Sequence, residues 1–120
     1  LDPPDWLDPA AQAEWRRIAP MLARLGILTE TDSDALSAYC EAFTTWKQAV
    51  ARIRQFGMVI KVTRAGLELP VISPYVKIER HAMAQMRAFL TEFGMTPSAR
   101  ARIHTAAPAE TPVSKWAGKL

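Results

Sequence analysis

Apolar residues in this chain recur at helical spacing in three stretches and at strand spacing in one. Trp15, Ile18, Leu22 and Leu25 fall three or four apart, which predicts a first helix from about Pro9 to Leu25 with Gly26 as its stop. Pro20 lies inside that run and is expected to kink or split it. Leu36, Phe43 and Val50 then recur every seven residues, and Tyr39, Trp46 and Ile53 form a second such series offset by three. Together they predict a long second helix, about Asp32 to Phe56, with an a/d seam that demands a partner helix. Thr29 or Thr31 in "TETD" would cap it, and Gly57 would end it.

After Gly57 the period changes. "MVIKV" and "LELPVI" alternate and are rich in β-branched residues, while "TRAG" between them makes a turn in which Gly66 supplies a positive φ. This predicts a β-hairpin at about 58–72, with Pro70 at an edge or an end. Because an isolated hairpin is marginal in water, it is expected to pack on the helices or on a neighbouring subunit. A third helix, Pro74 to Phe93, should bury Val76, Met83, Met86, Leu90 and Phe93, widened by Ala82 and Phe89.

Three helix starts share one device. Asp8-Pro9, Ser73-Pro74 and Thr96-Pro97 each set an N-cap residue before a proline at the first helical position. The last opens a short helix, Pro97 to about His104. The expected fold is mainly α: a long antiparallel helix hairpin with an inserted β-hairpin, an N-terminal helix and a short C-terminal helix. Residues 1–103 form a single domain in this reading. Residues 104–120, Ala/Pro/Thr-rich and aperiodic, form a flexible tail.

Charge is divided unevenly. Residues 1–46 carry three arginines against eight acids, whereas residues 47–120 carry twelve Lys or Arg against four acids. A basic back half suits a polyanion as partner and equally suits a merely solvated surface. Charge placement makes Arg52, Arg54, Lys61, Arg64, Arg100 and Arg102 the candidate DNA-contacting residues. Phe43 and Trp46 have the chemistry to stack on bases, but they share a face with Leu36, Val50 and Ile53, which assigns them to packing. In the polar tail, Trp116 between Lys115 and Lys119 is a candidate anchor for a partner's pocket.

Catalytic chemistry finds no constellation in the sequence. There is no phosphate-cradling glycine loop, and a single cysteine, Cys40, excludes both an internal disulfide and a cysteine-based zinc site. His81 and His104 are too far apart to suggest a metal site. Asp2, Asp5 and Asp8 read as solubilising or capping residues, Asp32 and Asp34 as first-turn acids, and His81 as a surface residue. The reading is therefore a non-enzyme without cofactor or metal. The lone cysteine fits a reducing cytoplasm, and neither a signal peptide nor a membrane span is visible. Leu1 in place of Met implies that an N-terminal piece is missing.

The ordered set of motifs resembles the small subunit of bacteriophage terminases. Phe93, Gly94, Met95, Thr96, Pro97, Ser98, Arg100 and Arg102 match that family's FG-hydrophobic-TPSSR-A-R signature, with Ala99 where a second Ser is common. Trp15, "GILTETD" at Gly26–Asp32, "AYCEAFTTW" at Ala38–Trp46 and Gly57 match upstream, so the likeness covers roughly residues 4–103. The resemblance implies a ring-forming, non-catalytic subunit in the infected bacterial cytoplasm. Such a subunit recognises the packaging start on viral double-stranded DNA and regulates the ATPase and nuclease of the large terminase subunit. Arg100 and Arg102 would contact either DNA or the acidic front of a neighbouring subunit. Two other readings compete: a helix-turn-helix regulator built on the first two helices, and a structural adaptor docking through seam and tail. The acids Glu30, Asp32 and Asp34 around the connecting turn count against the former, because they would repel phosphates.

Overall fold

The computed structural model describes residues 2–28 and 32–94. It contains α1 (Pro9–Arg24), α2 (Ser33–Phe56), β1 (Val59–Arg64), β2 (Leu67–Ile72) and α3 (Pro74–Glu92), in that order. The mainly helical class and the inserted hairpin agree with the expected fold. The Thr29/Thr31 cap, the helix from Pro97, Arg100, Arg102 and the tail residues Lys115, Trp116 and Lys119 lie outside the described residues. So does the boundary placed at 103/104.

By its packing the chain divides within α3, into residues 1–86 and residues from 87 onward. In the first unit the core is the contact of α1 with α2. Trp15, Ile18 and Leu22 from α1 meet Leu36, Tyr39 and Cys40 from α2, all buried, with Ala11, Ala19, Ala42 and Ala49 letting the backbones approach. Leu7 is buried as well, and Gln12 Nε2 ties its segment to α1 by donating to the Leu7 carbonyl at 3.1 Å.

The helix ends follow from local chemistry. Pro9 opens α1, yet Asp8 makes no side-chain cap bond, contrary to expectation; its carbonyl accepts from Gln12 N–H at 2.8 Å instead. Ser73 does cap α3, accepting from Tyr75 N–H at 3.2 Å. At the end of α1, Gly26 has φ +69°, with Gly26 N–H donating to Ala23 C=O and Ile27 N–H to Leu22 C=O. That paired closure needs a left-handed residue, which glycine supplies without strain. Pro20 does not split α1, which runs unbroken across it. The carbonyl that loses its donor belongs to Arg16, and both residues are solvent-exposed, where water substitutes.

The hairpin register pairs Val59 with Ile72 and Arg64 with Leu67, leaving a two-residue turn at Ala65-Gly66. Both turn residues have positive φ, 52° and 77°. This is the twist a tight hairpin requires, and here it is met partly by an alanine. No strand residue is fully buried. Of the two expected supports, the chain's own helices or a neighbouring subunit, the helices cover the hairpin at most in part.

On α3 the buried positions are Ala82 and Phe89, with Val76, Met86, Leu90 and Phe93 half-buried. Met83, expected on the stripe, is 39% exposed. The expected margin of the stripe, Ala82 and Phe89, is thus its most buried part, while Leu90 stays half-buried and Met83 lies outside it. The expected side-by-side pairing of α2 and α3 is only partly met. Within residues 1–86 the two helices share a hollow lined by Thr45, Ile78, Ala82 and Gln85, and among the described residues the close helix packing is that of α1 on α2.

Candidate nucleic-acid and partner surfaces

The candidate cations occupy separate surfaces. Arg52 and Arg54 are exposed near the end of α2, and Arg52 Nη1 donates to Gln55 Oε1 at 3.4 Å. Two positions apart on a helix, they point about 200° from one another. In the hairpin, alternation places Lys61 on one face and Arg64 on the other. Lys61 Nζ lies 3.9 Å from Glu68 Oε2, with both side chains at least 70% exposed, so water screens that pair heavily.

A tighter basic grouping sits on α3. Lys77, Arg80 and His81, at i, i+3 and i+4, line one hollow together with Thr45 and Gln85. All three are exposed. In the sequence His81 reads only as a surface residue, and Lys77 and Arg80 are not among the candidate cations; the signal for them is their i, i+3, i+4 spacing.

The seam of α2 divides in two. Leu36 and Tyr39 are buried, whereas Phe43, Trp46, Val50 and Ile53 are only half-buried. The Phe43 ring lies 6.3 Å from Tyr39 and 6.1 Å from Trp46, centroid to centroid. Arg17 and Lys47 approach the same ring at 5.8 and 5.6 Å, so two cations lie against this half-buried aromatic.

Beneath Phe43 is a buried polar cluster that hydropathy reasoning passed over. Glu14 is 3% exposed on the face otherwise used by Ala11, Trp15 and Ile18. Arg17 Nε and Nη2 donate to its two oxygens at 2.6 Å each, and Tyr39 Oη donates to Oε2 at 3.2 Å. Donating to Glu14 raises the Arg17 pKa still further. Burial, then the Glu14 charge, pushes the Tyr39 phenol up to about 12. Burial likewise pushes the Cys40 thiol up to about 12, so it stays protonated and unreactive at neutral pH. The cluster fastens α1 to α2. The i, i+3 spacing of Glu14 and Arg17 was readable, but the burial of Glu14 was not.

On α3, Glu79 Oε2 is buried without a hydrogen-bond partner among the described residues. No group of His, Cys, Asp or Glu suited to a metal ion occurs among the described residues. No helix among them is long and apolar enough to cross a membrane.

Compared with known proteins, the chain matches one family model, described as phage terminase, small subunit, over residues 11–110. No curated protein and no solved structure matches it.

Proposed function

Because the chain belongs to the phage terminase small-subunit family, with a role in phage DNA packaging, we propose that it is the non-catalytic subunit that binds viral double-stranded DNA for packaging. It acts in the host cytoplasm as a homo-oligomeric ring and regulates the ATPase and nuclease of the large terminase subunit. The observation that carries this reading is the family match across residues 11–110.

Two features support the finer parts. The half-buried stretch Phe43, Trp46, Val50 and Ile53 leaves apolar area that a second copy would cover. The acidic front and basic back of the sequence complement each other in a head-to-tail closure. DNA contacts are assigned to the basic residues of α2, the hairpin and α3, with Arg100 and Arg102 serving either DNA or the neighbouring subunit. The segment around Lys115, Trp116 and Lys119 is assigned to partner docking.

Light scattering during size-exclusion chromatography tests the assembly, together with binding to duplex DNA over a salt series. A mass many times that of one chain is expected, falling for Trp46→Ala with Ile53→Ala while helicity is kept. A monomer at micromolar concentration overturns the ring. DNA affinity that does not decline with added salt, or no affinity, overturns the phosphate contacts.

A further inference from the structure

The hairpin carries a difference between its two outer edges that points to a docking site. Ser73 N–H donates to Met58 C=O at 2.7 Å, which makes 58 and 73 a hydrogen-bonded pair. Such pairs alternate along an antiparallel ladder. In the observed register the bonded pairs are then Ile60–Val71, Val62–Leu69 and Arg64–Leu67. Val59, Lys61 and Thr63 turn their N–H and C=O groups outward from β1; from β2 Glu68 and Ile72 do the same, and Pro70 its C=O alone.

Pro70 has no N–H and stands in the middle of the β2 edge, so that edge lacks its central donor. The β1 edge has no proline. Among the described residues no backbone hydrogen bond reaches Val59, Lys61 or Thr63 from outside the hairpin. Strand addition is thus open on one side only.

The side chains define what fits there. One face carries Ile60, Val62, Leu67, Leu69 and Val71, none fully buried, with Arg64 at its turn end. The opposite face carries Lys61, whose ion pair with Glu68 is long and exposed. At its base the β1 edge runs into a hollow lined by Phe56, Val59, Pro74 and Tyr75. Phe56 there is 57% exposed and Tyr75 37%.

We propose that the outer edge of β1 receives an extended segment of another protein, with alternating aliphatic and acidic side chains, as a third strand. Main-chain bonds to Val59, Lys61 and Thr63 supply affinity. The aliphatic side chains extend the face of Ile60 and Val62, and the acids lie beside Lys61. A third strand also gives the hairpin the width that a stable sheet needs. A second copy fits poorly: β1 against β1 sets a strand bearing Lys61 and Arg64 against its own charges, and β1 against β2 meets Pro70. The inference does not rest on the packaging role.

The test uses the full chain and a capped nine-residue peptide of alternating valine and glutamate, followed by fluorescence anisotropy and amide hydrogen exchange. Saturable binding is expected, with exchange at Val59, Lys61 and Thr63 slowed about tenfold or more while Ile60 and Val62 change little. Thr63→Pro repeats on β1 what Pro70 does on β2 and keeps every charge; it should weaken the peptide about tenfold. Lys61→Glu should transfer preference to a valine/lysine peptide. Failure of the unaltered chain to bind, or binding without slowed exchange at the three outward amides, overturns the proposal. A drop in assembly mass for Thr63→Pro would give the edge to a second copy, and an equal loss of duplex-DNA affinity would give it to DNA; either overturns it. If Thr63→Pro does not fold, the exchange pattern of the unaltered chain decides.

Discussion

Tyr39 Oη donates to Glu14 Oε2 at 3.2 Å, a buried hydrogen bond that crosses from α2 to α1. The same carboxylate holds Arg17 through two bonds, but Arg17 is largely solvated, with 58% of its side chain exposed. Removing Glu14 takes away the acceptor of that buried bond and of both Arg17 bonds. Glu14→Ala should therefore cost about 2–3 kcal/mol of stability. Glu14→Gln keeps an acceptor for Tyr39 and should cost about half as much. Urea unfolding of the two variants, with Tyr39→Phe to close a cycle, measures this. Equal midpoints for Glu14→Ala and the parent chain would show that the cluster does not fasten the helices.

Alkaline pH should loosen the same interface. Tyr39 is raised from 10.0 to about 12 and Cys40 from 9.0 to about 12, in both cases chiefly by burial. Above its ordinary pKa each group loses its proton in the unfolded chain but keeps it in the fold. The unfolded state then binds fewer protons, and stability falls as pH rises. The loss should begin near pH 9, steepen near 10 and end near 12, at about 1.4 kcal/mol per pH unit for each titrating group. Cys40→Ala should flatten the stretch between pH 9 and 10 in a series of thermal melts. An unchanged slope there would mean that the thiol does not contribute.

The turn of the hairpin should be improvable. Ala65 has φ 52°, a left-handed conformation that costs a Cβ-bearing residue about 1 kcal/mol, and Asn or Gly tolerates it better. Ala65→Asn should stabilise the hairpin by about 0.5–1 kcal/mol, while Ala65→Val should destabilise it by a similar amount. Since the hairpin packs little against the helices, the effect should show in amide exchange of Ile60, Val62 and Val71 more than in the global melt. A shift confined to helical amides would contradict that placement.

Much of this architecture was legible because its signals are local. The seven-residue series along α2, the switch to alternation after Gly57 and Ser73 before Pro74 each act within a few residues, and all three mark element boundaries that the fold keeps. What was hidden depends on neighbours brought close only by folding. Hydropathy put Met83 at the centre of the buried stripe of α3 with Ala82 and Phe89 at its margin, yet Ala82 and Phe89 are the buried residues and Met83 is exposed. Nothing in the sequence marks Glu14 as buried; Tyr39 and Arg17, brought to it by folding, are the partners that make its burial tolerable. The candidate cations were chosen by charge density along the chain, which ignores direction. Arg52 with Arg54, and Lys61 with Arg64, therefore scatter, while Lys77, Arg80 and His81 converge at helical spacing.

That convergence yields the sharpest expectation about DNA. Each phosphate contact that is lost lowers the slope of log affinity against log salt by about 0.9. Lys77 and Arg80 line one hollow, so both can face the same duplex, and Lys77→Ala with Arg80→Ala should lower the slope by about 1.8. Arg52 and Arg54 point to different sides of α2, so at most one faces a given duplex. Their double alanine variant should lower it by only about 0.9. Anisotropy titrations of labelled duplex between low and moderate salt, on variants of unchanged helicity and assembly mass, give both slopes. A larger loss at Arg52 and Arg54 than at Lys77 and Arg80 would move the DNA surface to the end of α2 and leave the α3 hollow as a solvated face.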